Sequence, residues 1–261
     1  LATMLGAAIL AGRDVITPEG ERLLAYDCDA VSHFLPERLR DQSLLTAFAF
    51  SLFLVGFGIK LGMWPFGRVW LPDAHPAAPS PVSALLSGVM IKTGVYGLMR
   101  YFLWLVPPHA RADYPAGEWG AVIAVLGTVT LFTGTLQGLR QEQSKRLLAF
   151  SSIGQAGYIM LGLGVCLPLL NSREPAAMAL AAAAFCGALA HTWYHGIFKS
   201  LLFLFVGAVL HATGTQDINT LGGLMRWMPV TAVTALIASF SIAGVPLFSG
   251  FVSNWSIYVA A

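Results

Sequence analysis

Long runs of apolar residues alternate with short polar linkers along most of the chain. The runs cover about 42–62, 80–104, 118–139, 145–168, 176–210 and 229–259. A helix needs about 20 apolar residues to cross about 30 Å of hydrocarbon, and each run reaches that length. Backbone polar groups in lipid must be paired within the chain, which forces the runs to be helical. The pattern therefore predicts an all-α polytopic bundle of transmembrane helices.

Three parts of the pattern depart from a simple crossing. Residues 1–11 are typical of the tail of an apolar helix, and residues 12–41 are polar and predict an extramembrane loop. Within that loop, about 20–35 forms either a short amphipathic surface helix or a solvated connection. The run 176–210 is longer than one crossing requires. It is either one long tilted helix or a helix interrupted near His191.

Composition supports a membrane protein and excludes several other classes. The 261 residues are 56% hydrophobic and 11% charged, whereas a soluble domain carries about 25% charged residues. The net charge of +2, without a long basic run, gives no reason to expect a nucleic-acid partner. Cys28, Cys166 and Cys186 form no closely spaced pair, so we expect no zinc site, iron–sulfur cluster or other cofactor in this chain.

The first residue is not methionine and the last run stops abruptly, which suggests that residues 1–261 are one transmembrane domain within a longer protein.

Two short segments predict breaks within the helical pattern. Trp64-Pro65-Phe66-Gly67 follows the first long run, and Gly244-Val245-Pro246, followed by Gly250, lies inside the last one. Proline removes a backbone donor and clashes with the preceding turn. Unwound backbone at membrane depth survives only where protein buries it or water lines it. Transporters place ion sites at such breaks, so we predict discontinuous helices near Lys60 and Gly244–Gly250.

Two lysines within apolar runs are candidates for proton transfer. A lysine at the bilayer centre costs about 2.5–3.5 kcal/mol on insertion scales. Lys60 lies near a helix end, where its amine can alternatively reach the membrane surface by snorkelling. Lys92 lies near the middle of its run, where snorkelling is harder. A lysine removed from water loses the solvation of its charged form, so it can load and unload a proton near neutral pH.

A row of three further titratable side chains occupies the run 176–210. His191, His195 and Lys199 are spaced i, i+4 and i+8, which places them on one face of a helix. Such a row is what a proton relay needs. Zinc binding by the two histidines is an alternative, although no third ligand is evident. Ordinary hydrogen bonding between helices is another.

The linkers and neighbouring helices hold weaker candidates. Asp73 and His75 form either an entrance to the proton path or ordinary loop polar residues. Polar residues at 151, 152 and 155 can order water or simply pack between helices. The basic cluster 140–146 is typical of a cytoplasmic anchor, and helix parity places the linkers 63–79, 140–144 and 211–228 on that same side.

Several motifs resemble those of the antiporter-like proton-translocating subunits of respiratory complex I, energy-converting hydrogenases and multisubunit cation/proton antiporters. The resemblance runs from about residue 60 to 254. It rests on PFGRVWLPDAHPAAPSPVSALLSGVMIKTGVYGLMR, SKRLLAFSSIGQAGY, HTWYHGIFKSLLFLFVGAVLHATGTQDINTLGGL and GVPLFSGFVSNW, in that order. The segments LLSGVMIKTGVYG and LHATGT resemble the hydrogenase-type members of the family more than the mitochondrial ones.

The resemblance implies roles for named residues. Lys60, Lys92, His195 and Lys199 match the family's central chain of protonatable residues, and His191 matches a histidine often found one turn earlier. The glutamate partner of the first lysine is implied to lie outside this chain. Three departures stand out: Gly67 replaces a histidine, Gln143 an aspartate, and Asn254 a lysine or glutamate that forms the proton exit.

The sequence thus predicts a proton-translocating, non-redox subunit of a respiratory NADH:quinone oxidoreductase-like or energy-converting hydrogenase complex. Its expected partners are other membrane subunits, the lipid membrane and protons, in a prokaryotic plasma membrane. An alternative is a subunit of a sodium/proton antiporter or an inorganic-carbon uptake complex without redox chemistry, in which Na⁺ also moves. A subunit that has lost pumping is a third possibility, because Asn254 cannot titrate.

Overall fold

Helices make up most of the computed structural model, which describes residues 1–11, 14–16, 20, 22–24 and 27–261. The helices are α1 (Ala2–Ala11), α2 (Cys28–Asp41), α3 (Ser43–Leu61), α4 (Gly67–Ala77), α5 (Ser80–Leu85), α6 (Lys92–Met99), α7 (Ala116–Gly138), α8 (Ser144–Leu169), α9 (Pro175–Thr213), α10 (Pro229–Ala243) and α11 (Ser249–Ala260). A small antiparallel ribbon pairs β1 (Val15–Ile16) with β2 (Arg22–Leu23). The prediction of an all-α bundle is confirmed, and the ribbon is a minor addition inside the polar segment.

Five helical segments of the described chain are long and apolar enough to cross a membrane. They are Ser43–Leu61, Ser80–Trp104, Ala116–Gly138, Ser144–Leu169 and Pro175–Thr213. Each agrees with a predicted run to within a few residues. Within Ser80–Trp104, a π-helical turn at Leu86–Met90 joins α5 to α6, and a second one at Arg100–Trp104 extends α6. Short 3₁₀ turns at Pro108–Ala110, Ile218–Thr220 and Leu224–Arg226 lie in the linkers.

The two longest predicted runs resolve differently. Helix α9 continues without a break through His191 for 39 residues, or about 58 Å at 1.5 Å per residue. The alternative of one long helix is therefore correct, and the interruption near His191 is wrong. The run 229–259 divides into α10 and α11, because Gly244 adopts a left-handed φ of 70° directly after α10. The predicted discontinuity in the last run is confirmed.

The first predicted break lies where α3 gives way to α4. Gly62 ends α3 with a left-handed φ of 98°, and Pro65 follows before α4 begins. A Cβ atom on Gly67 would lie only 1.9 Å from the carbonyl oxygen of Gly62. Glycine at position 67 therefore permits a close approach of the two backbone segments, which a side chain there would push apart.

Contacts between linkers show that the helices cross in alternating directions. On one side, Arg40 of α2 pairs with Asp113 at 2.8 Å, and Asn171 donates to the carbonyl of Arg111 at 3.3 Å. We call this side the first face; it carries the linkers 105–115 and 170–174.

The opposite side, the second face, carries the linkers 62–79, 139–143 and 214–228. There the amide of Ser144 donates to the carbonyl of Gln216 at 3.0 Å, and Arg146 approaches Asp73 at 3.4 Å. The predicted grouping of the linkers 63–79, 140–144 and 211–228 on one side agrees with these contacts.

The polar segment 12–41 is packed more closely than a solvated loop. Its amphipathic helix is α2, Cys28–Asp41, which starts later than the predicted 20–35. Residues 12, 13, 17–19, 21, 25 and 26 lie outside the described residues. Val31 and Leu35 are fully buried in the same apolar cluster as Leu10 of α1 and Phe53 of α3. The amphipathic helix is thus part of the bundle rather than a free connection.

Helices α7 and α8 approach each other through glycine. A Cβ atom on Gly157 would lie 2.5 Å from the carbonyl oxygen of Gly127, and one on Gly134 would lie 2.5 Å from the amide nitrogen of Gly154. Membrane helices lack a hydrophobic driving force between them, so small residues that allow close backbone packing stabilise their contacts. This pair is therefore closely packed, and α8 also packs against α9.

Candidate functional site

The predicted row on α9 points into the protein. His191 and Lys199 are 0% exposed, and His195 is 1% exposed. The rings of His191 and His195 stack at a centroid distance of 6.2 Å and an angle of 16°. Because α9 stays helical throughout, one face presents all three titratable tips to the inside of the bundle.

Lys92 meets this row at its centre. Its Nζ lies 2.5 Å from Nδ1 of His195 and 2.5 Å from the carbonyl oxygen of Ser87. Ser87 belongs to the π-helical turn Leu86–Met90, which directly precedes α6. A π-helical turn shifts the normal backbone hydrogen bonding, and here the amine of Lys92 occupies the carbonyl of Ser87. The turn therefore helps to aim the lysine at α9.

Helix α8 lines the other side of the row with short polar groups. The amine of Lys199 donates to Oγ of Ser151. Ser152 lies one residue on and shares a hydrogen bond of 2.8 Å with Ser87. Ser151 thus binds Lys199 directly, whereas Ser152 is connected to Lys92 only through Ser87, whose carbonyl accepts from the lysine amine.

His191 is held at both ring nitrogens. Its Nε2 lies 2.8 Å from Oε1 of Gln155 on α8, and its Nδ1 lies 2.9 Å from Oγ of Ser253 on α11. Next to Ser253, Asn254 is 8% exposed, and its Oδ1 has no hydrogen-bond partner within the described residues. A Cβ atom on Gly244 would lie 3.1 Å from Nδ2 of Asn254. The second helix break therefore contacts the end of the polar row.

We call Lys92, His191, His195 and Lys199, with the serines and glutamine that bind them, the polar chain. In the described part of the protein, no carboxylate lies within 4.0 Å of either lysine. Two positive charges at the 2.5 Å separation of Lys92 and His195 would repel each other strongly. This geometry therefore disfavours a state in which both groups are charged.

Lys60 stays apart from the polar chain. It lies in the last turn of α3 with its side chain exposed, and no described residue forms an ion pair with it. The nearby break is held instead by Trp70, whose Nε1 donates to the carbonyl of Ile59 at 3.0 Å. The structure thus brings four of the five predicted relay residues together, with the fifth on the surface.

The two possible entrance residues have opposite environments. The side chain of Asp73 is 69% exposed and approaches Arg146 on the second face. His75 is 0% exposed and stacks on Phe203 of α9 at 4.4 Å and 16°. Asp73 therefore has the surroundings of a loop residue, whereas His75 belongs to the interior beside the polar chain.

The geometry of α9 does not favour the zinc alternative. Both nitrogens of His191 and one nitrogen of His195 already have hydrogen-bond partners. Among the residues that the structure describes, no three His, Cys, Asp or Glu side chains come together. Hydrogen bonding between helices is present, and in the contact between Lys92 and His195 it joins two titratable groups directly.

Sequence reasoning missed Ser87 and Ser253, which bind Lys92 and His191. Hydroxyl residues are frequent in membrane helices, so their presence alone carries little information. The position of Ser87 does carry a signal, because it precedes Lys92 by five residues. Five residues is the spacing between hydrogen-bonded residues in a π-helical turn.

Comparison with known proteins agrees with this architecture. The family model described as "NADH:quinone oxidoreductase/Mrp antiporter, TM" matches residues 25–261. Hydrogenase-4 component B of Escherichia coli is 39% identical over 219 residues, covering 83% of this chain and 31% of that protein. Na(+)/H(+) antiporter subunit A1 of Staphylococcus saprophyticus is 41% identical over 208 residues, covering 79% of this chain and 24% of that protein.

A solved structure has the same fold. A chain of the membrane-bound sulfane sulfur reductase, an archaeal respiratory membrane complex, matches with a TM-score of 0.79 and 25% identity, over 100% of this chain and 47% of that one. This chain therefore spans about a third or less of the length of these curated relatives and about half of the solved one.

Proposed function

This chain belongs to the NADH:quinone oxidoreductase/Mrp antiporter membrane family, and from that premise we propose that its polar chain conducts protons through a multisubunit membrane complex. It would form the ion-moving part of a respiratory NADH:quinone oxidoreductase-like or hydrogenase-type complex. Electron transfer would take place on other subunits, since we expect no redox cofactor here. The bacterial relatives named above support a prokaryotic plasma membrane as its location.

One observation carries the proposal: His195 and Lys199 are buried between membrane helices, Lys92 is half-buried beside them, and no described carboxylate lies within 4.0 Å of either lysine. Each charge in such a place costs a few kcal/mol. Small or apolar residues would pack the helices together without the free-energy cost of a buried charge. What lysine and histidine provide in addition is a proton that can be exchanged with a neighbouring group.

The order of transfer follows from the contacts. Lys92 and His195 exchange a proton directly across 2.5 Å. Lys199 lies one turn further along α9, where it binds Ser151, and a proton would reach it through water. His191 forms the other end, where Ser253 leads to the second helix break.

Lys60 would control this path from outside. Its exposed amine at the first helix break is free to face an acidic group elsewhere in the longer protein or its complex. A redox event that moves this partner would change the field at Lys60 and Lys92. Proton loading of the polar chain would then follow, because charges are screened weakly in a low-dielectric interior.

A sodium/proton antiporter subunit is the second candidate. It is supported by the 41% identity to the protein named Na(+)/H(+) antiporter subunit A1. In that case the same polar chain would conduct protons, and translocation would depend on Na⁺. Measuring proton movement in vesicles with and without Na⁺ separates the two candidates.

Lys92→Met tests the proposal itself. It removes the charge while keeping most of the side-chain volume. We expect the complex to assemble, and proton movement in reconstituted vesicles to fall by on the order of a hundredfold, since a positioned proton-transfer group contributes about 10²–10⁴-fold. Arg226→Gln is the matched control, because Arg226 is an exposed cation on the second face. An assembled Lys92→Met complex that moves protons at the wild-type rate would refute the proposal.

A further inference from the structure

His75 is a buried histidine whose ring nitrogens form no hydrogen bond with the described residues. It is 0% exposed, and neither Nδ1 nor Nε2 has a hydrogen-bond partner within the described residues. An unpaired buried polar group costs about 1–3 kcal/mol. A phenylalanine would stack equally well on Phe203, so stacking alone does not account for an imidazole here.

The surroundings of His75 come from three helices. Phe203, which stacks on the ring, follows Lys199 by one turn of α9. On the other side, α8 begins with Lys145, whose Nζ donates to the carbonyl of Ala78 at 2.8 Å, just beyond the end of α4. The backbone of His75 is fixed by Ser83, whose hydroxyl donates to its carbonyl at 3.0 Å. The ring thus stacks on the C-terminal half of α9, and the chain that carries it is bound by residues at the starts of α5 and α8.

The charges of both lysines act on this ring. Burial first, and then the positive charges of Lys199 and Lys145, lower the pKa of His75 to about 3. His75 is therefore neutral while both lysines are charged. Transfer of a proton from Lys199 toward the ring removes one of the two repulsions, which favours the protonated form of His75.

Polar groups also form a graded series from the second face inward. Asp73 and Arg146 are exposed at the surface, with side chains 69% and 41% exposed. Lys145 is next at 2%, and His75 and Lys199 are both at 0%. Apart from this series, the apolar residues Leu71, Ile91 and Phe150 close the interior on this side.

We propose that His75 is a proton-transfer residue that connects Lys199 with Lys145 and hence with the second face. The inference rests on the proposed function, which assigns proton conduction to the polar chain but no exit to the second face. In the transfer, one ring nitrogen accepts a proton from the lysine on one side, and the other nitrogen releases its proton to the lysine on the other. No bond other than N–H changes. Since neither lysine bonds to the ring in this structure, each step needs a water molecule or a rotation of the lysine side chain.

The test is chemical rescue in the whole complex, reconstituted in vesicles. His75→Ala keeps α4 helical and leaves a space shaped like the ring. We expect sustained proton movement to fall by on the order of tenfold or more, with normal assembly. Added imidazole should restore it. Pyrazole, which has the same shape but is far less basic, should not. His211→Ala is the matched control, because His211 is an exposed histidine at the end of α9.

Other variants keep the proposal falsifiable if His75→Ala fails to assemble. His75→Phe preserves the stacking and Lys145→Met preserves the bulk at the start of α8, and both should slow proton movement without imidazole rescue. Wild-type rates in assembled His75→Phe would overturn the proposal, as would equal restoration of His75→Ala by pyrazole and imidazole. Lys92→Met, measured alongside, separates this result from failure of the proposed function: if Lys92→Met is inactive while His75→Phe is active, only the role of His75 is refuted.

Discussion

The amine of Lys92 and Nδ1 of His195 lie 2.5 Å apart, joining α6 to α9 in the middle of the bundle. At this separation one of the two groups donates and the other accepts, so a charged Lys92 requires an unprotonated Nδ1. Nε2 of His195 has no partner within the described residues. A proton that arrives at His195 from elsewhere therefore displaces the one shared with Lys92. The pair works as a unit that passes on single protons rather than storing two.

The short distance between Lys92 and His195 depends on how closely the surrounding helices pack. A glycine at a helix contact can therefore be tested by substitution. Gly157→Ala would place a Cβ atom 2.4 Å from the amide nitrogen of Leu131 and so force α7 and α8 apart. We expect thermal unfolding of the purified complex to show a loss of at least about 1–3 kcal/mol, the usual cost of overpacking. Gly117→Ala is the control, because a Cβ atom on Gly117 would meet no atom within 4 Å. An unchanged melting temperature for Gly157→Ala would contradict the close packing described here.

The course of the helices could be predicted from the sequence because apolar run length is a strong signal. The apolar run 145–168, for example, predicts the helix that lies at Ser144–Leu169. The breaks were also predictable, since Pro65 and Gly244 have backbone requirements that few conformations meet. The length of α9 stayed open, because apolar sequence does not say whether a helix tilts or bends.

Less of the candidate site could be predicted. The spacing of His191, His195 and Lys199 shows that they share a face, but not which lysine that face meets. The contact between Lys92 and His195 joins residues 103 positions apart. Asp73 and His75 are only two residues apart in the sequence, yet one is exposed and the other buried. Burial at a helix end depends on which helix packs against it, and single-sequence patterns do not contain that information.

The orientation of the protein in the membrane remains a prediction. The basic cluster 140–146 lies on the second face, and positive residues in short loops favour the cytoplasm. On the first face, Arg22 and Arg40 form ion pairs with Asp14 and Asp113. We therefore expect the second face to be cytoplasmic.

Cysteine labelling in intact cells checks this orientation. In a background with the native cysteines replaced by alanine, Gln143→Cys should resist a membrane-impermeant thiol reagent added outside, because Gln143 is exposed on the second face. Ala112→Cys, exposed on the first face, should react. The reverse pattern would place the second face outside and reverse the direction of the route through His75.

Asn254 provides the last prediction, at the point where the polar chain reaches the second helix break. The neighbouring Ser253 binds His191 at 2.9 Å, while Oδ1 of Asn254 is buried without a partner in the described chain. An amide cannot titrate, but it can hold a water molecule in line with Ser253. We infer that Asn254 supports proton exit through water, since the costly charges of the polar chain would serve no purpose in a subunit that had stopped conducting.

Two substitutions of nearly equal size separate this role from simple packing. Asn254→Leu can order no water, so we expect it to lower proton movement by on the order of tenfold. Asn254→Asp restores a titratable group and should preserve or raise the rate. Val252→Leu, which changes an outward-facing residue of the same helix, is the control for altered packing of α11. If Asn254→Leu assembles and matches the wild-type rate in reconstituted vesicles, the proton does not pass Asn254. The exit would then have to run from Lys199 through His75, and combining Asn254→Leu with His75→Phe should abolish no more activity than His75→Phe alone.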